Sequence, residues 1–594
     1  MKNHRGLWLG ILAVVFGLGC MAVFGPAEST AANPGVPWPA TDALGRALTS
    51  PDEAGPPKSN RFVGIFYFLW HNNPGGRCPY TEGPYDISII LEKDPEALKK
   101  PDSPLWGPIG MYHYWGEPLY GYYFSTDPWV LRRHAQLLAD AGIDVLIFDT
   151  TNAVIYADVY HALCDVFTQV RQEGGQTPQI AFMVNTEAGE TAQKIYEDLY
   201  QPGHFPDLWF RWQGKPLMIC DPEKASPELR EFFTLRRAHW PFTMVNTPYA
   251  WHWEAAYPQP YGYTDDPQTP EQVNVSVAQN LRQSDGQVTN MSHGDARGRS
   301  FHNGKMDTTP GAVLWGYNIA EQWQRAYELD PPFVMITGWN EWIAGRWGEK
   351  GGPIVFVDQY NQEFSRDIEP VKGGHGDNYY WQMVSHIRRY KGVPAPPAAS
   401  QPITIALEGG FEAWRDVRPA YQDHWGETLP RDHDGAAGTY YTNRTGRNDL
   451  VLGKVARDTR HVYFYARTRE PLTPSTGSHW MWLLIDADQN TQTGWEGYDF
   501  IVNRTIEDNG KTWLEKNTGG WNWEKAAPLN FKAAGNELHL AIPRSALGLP
   551  DDLTAVALDF KWADNLQRPG EIMDFYLSGD VAPEGRFKYR YDGN

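Results

Sequence analysis

The sequence predicts a (β/α)8 TIM barrel followed by an all-β sandwich domain. Eight short apolar runs recur within residues 61–392: Phe62–Phe68, Ile109–Tyr114, Val145–Asp149, Ile180–Asn185, Leu217–Asp221, Phe242–Asn246, Ala312–Asn318 and Phe333–Trp339. Stretches between them, such as Val130–Ala141, Tyr156–Gln172 and Thr191–Tyr200, carry helical periodicity. Strand–helix alternation with that number of strands is the pattern of a closed parallel barrel. Residues 403–594 lack such periodicity. Their strand-like runs His461–Arg467, Trp480–Asp486, Tyr498–Asn503, Glu537–Ile542 and Thr554–Phe560 are separated by turn residues, the signature of a sandwich.

Taken in order, residues 1–31 read as an export signal. Lys2, His4 and Arg5 precede an apolar stretch, Leu7 to Phe24, and small residues follow. The expected location is therefore periplasmic, cell-surface or secreted, with Cys20 a candidate lipid anchor. Residues 32–60, rich in Pro, Ala, Ser and Gly, read as a linker. The barrel domain occupies 61–392. Residues 393–402 form a Pro/Ala spacer, and 403–594 the sandwich. Within the barrel, Thr247–Pro310 has little periodicity and reads as a long functional loop.

A barrel of this kind gathers its chemistry at the C-terminal ends of its strands. Several runs end there in polar or aromatic residues: Asp149, Asn185, Asp221, Asn246, Asn318 and Trp339-Asn340-Glu341. Glu341, flanked by Trp339 and Trp342, is the leading acid–base candidate. Glycoside hydrolysis usually needs a second carboxylate. Asp149 and Glu187 are the candidates; Asp221 follows the fifth run and Glu254 lies in Trp251-His252-Trp253-Glu254, and an Asp at a strand end commonly caps the next helix. Trp70, His113, Trp115, Asn185, His302, Trp315, Trp339, Asn340 and Trp342 are candidate substrate-binding residues. No P-loop, dinucleotide turn or Gly-x-Ser-x-Gly motif is present, and no catalytic cofactor is expected.

Composition agrees with a glycan partner. Of 594 residues, 14% are aromatic and 26 are Trp, and aromatic faces stack on sugar rings, although a large aromatic core accounts for them equally well. A net charge of −20 argues against nucleic acid. In the second domain, Asp486, Asp488 and Asn490 space oxygen ligands at alternate positions, a candidate structural Ca²⁺ loop. Trp480, Trp482, Trp495 and Trp562 are candidates for a stacking platform there.

The stretches Val63-Gly64-Ile65-Phe66-Tyr67, Gly142–Asp149 and Ile336-Thr337-Gly338-Trp339-Asn340-Glu341-Trp342 resemble the glycoside hydrolase family 71/99-like barrels, which include endo-α-mannosidases. In those enzymes a second Glu, the acid/base, lies three residues after the first. Glu341 matches the first, but the second position is Ala344. The resemblance therefore does not bring that enzyme's carboxylate pair with it, and Glu349 or Glu187 would have to supply the missing role. Trp482–Asp488 and Thr493–Phe500 resemble family 9 carbohydrate-binding modules, which implies glycan binding. The expectation is an exported glycoside hydrolase acting on a polysaccharide or oligosaccharide. The rival is a non-catalytic glycan-capture protein on a degenerate barrel, motivated by Ala344.

Overall fold

A computed structural model of the chain describes residues 32–71, 84–241, 246–507, 511–550 and 555–593. The export signal with Cys20, and Cys78, lie outside the described residues. Cys164 and Cys220 are buried free thiols. Among the described residues no helix is long and apolar enough to cross a membrane.

Eight parallel strands build the barrel: β1 (Phe62–Tyr67), β2 (Val145–Thr150), β3 (Gln179–Val184), β4 (Lys215–Ile219), β5 (Thr234–His239), β6 (Ala250–His252), β7 (Gln272–Ser276) and β8 (Phe333–Thr337). They pair in the order β6-β5-β4-β3-β2-β1-β8-β7. The ring is nearly closed. At the β6–β7 seam the Gln272 carboxamide stands in for a backbone ladder, accepting from His252 N–H and donating to His252 C=O, both at 2.8 Å. Helices α1 (Pro128–Asp140), α2 (Ala157–Gln172), α3 (Ala188–Ile195), α4 (Pro227–Phe232), α5 (Tyr317–Leu329) and α6 (Asn378–Lys391) wrap the outside.

Strand alternation sorts the side chains into two cores. Phe62, Phe66, Val145, Ile147, Ala181, Met183, Trp251, Phe333 and Met335 fill the barrel. Val63, Ile65, Leu146, Phe148, Val273 and Ile336 meet the helices. Gly64 sits on the inward face because a Cβ there would lie 2.7 Å from Phe333 Cζ.

Two of the predicted strands need correcting. Ile109–Tyr114 is not a barrel strand: Tyr112–Tyr114 pairs antiparallel with Ile343–Gly345 as a ribbon. Ala312–Asn318 forms a 3-10 turn and the start of α5. Most of Phe242–Asn246 lies outside the described residues. The stretch read as a loop, Thr247–Pro310, carries β6 and β7 instead. Their sequences look polar because Gln272, Asn274 and Ser276 alternate with Val273 and Val275, which take the helix side. Likewise β5 hides behind Arg236, whose guanidinium is buried against Glu271 at 2.6 and 2.8 Å.

Residues 32–60 are not a free linker. Lys391 binds Asn33 C=O at 2.6 Å and Asp144 at 2.7 Å, and Asp144 also accepts from Val63 N–H, a clasp at the strands' N-terminal ends. Trp38 packs on Tyr421 and Tyr589 of the second domain.

That domain is one continuous antiparallel sheet: β9 (Ala420–Gln422), β10 (Leu450–Arg457), β11 (His461–Thr468), β12 (Trp482–Asp486), β13 (Phe500–Ile506), β14 (Lys511–Gly519), β15 (Asn522–Ala534), β16 (Glu537–Pro543), β17 (Ala557–Asp564), β18 (Asp580–Ala582) and β19 (Tyr589–Asp592). The sheet curls at β15, which pairs with β14 through its first part and with β16 through its last. Residues of both halves, Val455, Phe464, Leu538, Leu483, Val502 and Phe560 among them, share one core.

Candidate active site

Three carboxylates contact one guanidinium at the C-terminal ends of the barrel strands, and a fourth lies near enough to feel its charge. Glu341 lies on the turn after β8, where the Thr337–Gly338 peptide is cis. Arg366 grips it with a fork, Nε to Oε2 at 3.0 Å and Nη2 to Oε1 at 3.0 Å. The Arg366 Nη1 group donates to Glu254 Oε2 at 3.2 Å, just past β6, and to the side chain of Asn280. Asn280 returns its backbone N–H to Glu254 Oε1 at 2.8 Å. Asp358, half-exposed, meets Arg366 Nη2 at 3.5 Å. Asp149, near the end of β2, feels the charges of Asp358 and Arg366 and accepts two bonds from Thr151.

Burial sets the electrostatics. Glu341 and Glu254 are 3% and 1% exposed and Arg366 is fully buried. Burial pushes the Glu341 carboxyl well above the usual carboxylate range, with Asp358 and Asp367 adding to it and Arg366 opposing. Burial raises Glu254 to about 7 and Asp149 to about 6. One guanidinium cannot offset three buried carboxyls, so Glu341, Glu254 and Asp149 hold their protons more tightly than free carboxyls do. Burial and the neighbouring His239 hold His252 down at about 3, so that imidazole is neutral.

A second network beside the cluster fixes the turn. Glu369 accepts from Tyr123 at 2.7 Å and from Trp342 Nε1 at 2.5 Å, and meets His134 Nε2 at 2.8 Å. His134 in turn bonds Tyr67 at 2.8 Å. Ile368 and Glu369 donate their N–H groups to Trp339 C=O, which seats the 365–369 segment on the β8 exit. Asn340 clasps Phe68 through both its N–H and its C=O.

A cleft of about 650 Å³ opens at this end of the barrel. Its lining includes His239, Trp240, His252, Glu254, Leu281 and Arg282. Glu254, although buried, is part of the wall of this cleft.

The sequence-derived candidates divide. Glu341 and Asp149 belong to the cluster, and Asn340 and Trp339 support it. Glu187 does not join it: it is exposed at the left-handed N-cap of α3. Glu349 is exposed on another loop. Asp221 is paired with Arg237 at 3.1 Å. Trp115 and Trp342 stack on each other, 5.1 Å apart with planes at 20°, and are buried. Trp339 is fully buried against His134 and Tyr380. These three indoles form walls; they present no open face to a ligand. His113 is boxed in by Tyr85, Trp106 and Phe356, where burial lowers it to about 4. Trp70 packs on Tyr112 and Phe68. Asn185 is exposed and accepts from Trp240 at 3.0 Å. His302 and Trp315 meet around Tyr317, near Arg46, away from the carboxylates.

Arg366, Asn280 and Glu369 were not legible as functional residues. Arg366 lies 25 positions beyond Glu341, and nothing in its neighbours marks it as the shared partner. Ala344, where the resembling family has its acid/base, packs in an apolar cluster with Ile87, Ile90, Trp106 and Phe356.

In the second domain, single oxygens of Asp486, Asp488 and Asp499 lie within 4.8 Å of one another. Asp486 Oδ1 is buried without a partner, while Lys588 binds Oδ2 at 2.9 Å. Hard oxygen donors of this kind suit Ca²⁺. Asn490 turns away and caps Gln492 N–H at 3.0 Å, so Asp499 takes the place foreseen for it. Trp480, Trp482 and Trp562 are core residues at 1% exposure, not a platform, and Trp495 is 7% exposed.

No family model matches the chain, and no curated protein matches it. Among solved structures, the GH99 endo-α-mannosidase from Bacteroides thetaiotaomicron aligns with a TM-score of 0.33 at 14% identity, covering 56% of this chain and 98% of that one. Its complex with bis-tris-propane aligns at 0.32 with 15% identity, over 55% and 96%. A Thermotoga maritima α-L-fucosynthase aligns at 0.23 with 11% identity, over 84% and 95%. All three are weak likenesses.

Proposed function

We propose that the chain is an exported glycoside hydrolase, cleaving glycosidic bonds of a polysaccharide or oligosaccharide at the Glu254–Arg366–Glu341 cluster. One observation carries this reading: two buried carboxyls share one guanidinium, and one of them borders the cleft. Glycoside hydrolysis needs a carboxyl that holds a proton for the leaving oxygen and a second that is ionised. Here a proton on Glu254 leaves the Arg366 charge to Glu341, and the reverse. Glu254, raised to about 7 and set in the cleft wall, is the proton donor. Glu341 is its partner, and Asp149, at about 6, is the further carboxylate that feels the same Arg366 charge. The C-terminal domain holds glycan beside the barrel, with Ca²⁺ on Asp486, Asp488 and Asp499.

The test is a screen of the full chain against plant, algal, fungal and bacterial polysaccharides, with products read by mass and reducing ends. Glu341→Gln and Glu254→Gln run beside it. Release by the parent and by neither variant supports the reading; release undiminished in both variants refutes it.

A second reading has its own observation. Glu341 is closed into the Arg366 fork and the neighbouring indoles are buried, which suits a non-catalytic glycan-capture protein. Glycan affinity without new reducing ends would select it.

A further inference from the structure

We propose that Asp423, Glu427 and Asp580 form a second calcium site, one that ties the C-terminal domain to the barrel. One carboxylate oxygen of each lies within 4.8 Å of the other two. The convergence alone would be an acidic cluster. A separate observation distinguishes it: Asp423 Oδ2, Glu427 Oε2 and Asp580 Oδ1 are all buried with no hydrogen-bond partner. Glu427 and Asp580 are each 3% exposed. Buried carboxylate oxygens rarely go without a donor, and three in one place call for a shared cation.

Their other oxygens are already used, which fixes the carboxylates in place. Asp580 Oδ2 accepts Leu450 N–H at 2.6 Å. Glu427 Oε1 accepts from Arg133 at 3.0 Å. Asp423 Oδ1 accepts from Tyr589 at 3.1 Å. Of the nearby cations, Arg133 is taken up by the other Glu427 oxygen, and Lys561, which feels Asp423, bonds Pro583 C=O. The ligands are all hard oxygens, which selects Ca²⁺ over a softer transition metal. Asp423 also lines a cleft of about 230 Å³ between the domains, an entry path for the ion.

The position gives the ion a task. Asp423 and Glu427 flank the loop after β9, and Asp580 begins β18. Arg133 and Asp140 on α1 reach this same loop, through Glu427 and through His424 at 3.1 Å. A cation here stiffens the loop that the barrel helix grips.

The experiment uses the full chain, stripped with EDTA and equilibrated with calcium, with bound metal counted by plasma mass spectrometry. It is run in Asp488→Asn, which disables the other acidic loop. The expected result is one calcium per chain, lost on adding Glu427→Gln, and a melting temperature that calcium raises only when Glu427 is present. Gln keeps an acceptor for Arg133. Asp423→Asn, at the cleft edge, serves as a second variant and should also lose the ion. Equal calcium in the parent and both variants overturns the proposal. So does an Asp488→Asn chain that holds none and instead gains stability as pH falls, since the carboxyls then share protons. Equal retention of magnesium overturns the choice of calcium.

Discussion

Arg366 binds Glu341 through two N–H···O bonds of 3.0 Å while its third nitrogen reaches Glu254 at 3.2 Å. A single guanidinium thereby joins the turn after β8 to the turn after β6. The fork geometry matters, because Arg presents paired donors that Lys lacks.

Arg366→Ala should leave Glu341 and Glu254 buried without a counter-charge. The expected destabilisation is about 3–5 kcal/mol, read by denaturant unfolding. Arg366→Lys keeps the charge but loses the fork. It should fold yet lose most turnover, and a lysine variant with full kcat/KM would show that the fork is dispensable.

Glu254 carries a pH signature. Its carboxyl is held at about 7 in the folded chain against an ordinary value of 4.5, with burial the first cause. The folded state therefore binds the extra proton between those values. Its contribution to stability is full below the ordinary value and is lost as pH rises through about 7. As proton donor, it should also make kcat/KM fall on the alkaline side near that pH. Glu254→Gln should lower kcat by about 10²–10⁴-fold and abolish that limb. A pH profile that keeps the same limb in the variant would assign it to another group.

Ala344→Glu should not create a new acid/base. The side chain would enter the apolar cluster of Ile87, Trp106 and Phe356, where burying a carboxylate is costly. The expected outcome is a lower melting temperature with turnover unimproved. A variant that is both stable and more active would mean that the ribbon turns toward the site.

The clasp below the barrel should separate stability from activity. Asp144 accepts from Val63 N–H, Asn33 N–H and Lys391 at 2.6, 2.6 and 2.7 Å. Asp144→Ala strands a buried ammonium and should cost about 3–5 kcal/mol in unfolding experiments. Well below its melting temperature the variant should keep the parent kcat, because the clasp lies at the opposite strand ends from Glu341.

Local signals in the sequence were enough for the barrel class, for β1, β2, β3, β4 and β8, and for Glu341 and Asp149 at strand ends. These strands are buried on both faces, so each reads as an unbroken apolar run. The all-β character of residues 403–594 was equally legible from strand-like runs separated by turn residues. Strands β5 and β7 were not, because their inward positions hold Arg236, Gln272 and Asn274, and polarity hides a strand until its partners are known; β6 is only three residues long. The same limit applies at the site. Glu341 and Arg366 are 25 positions apart, and Glu254 and Arg366 are 112 apart. The loss of Glu187 and Glu349 as partners, and the burial of Trp115, Trp339 and Trp342, likewise came only with the tertiary structure. A residue's type sets what its side chain can do chemically. Which charges share a buried volume depends on how the strands close, and only the closed barrel decides that.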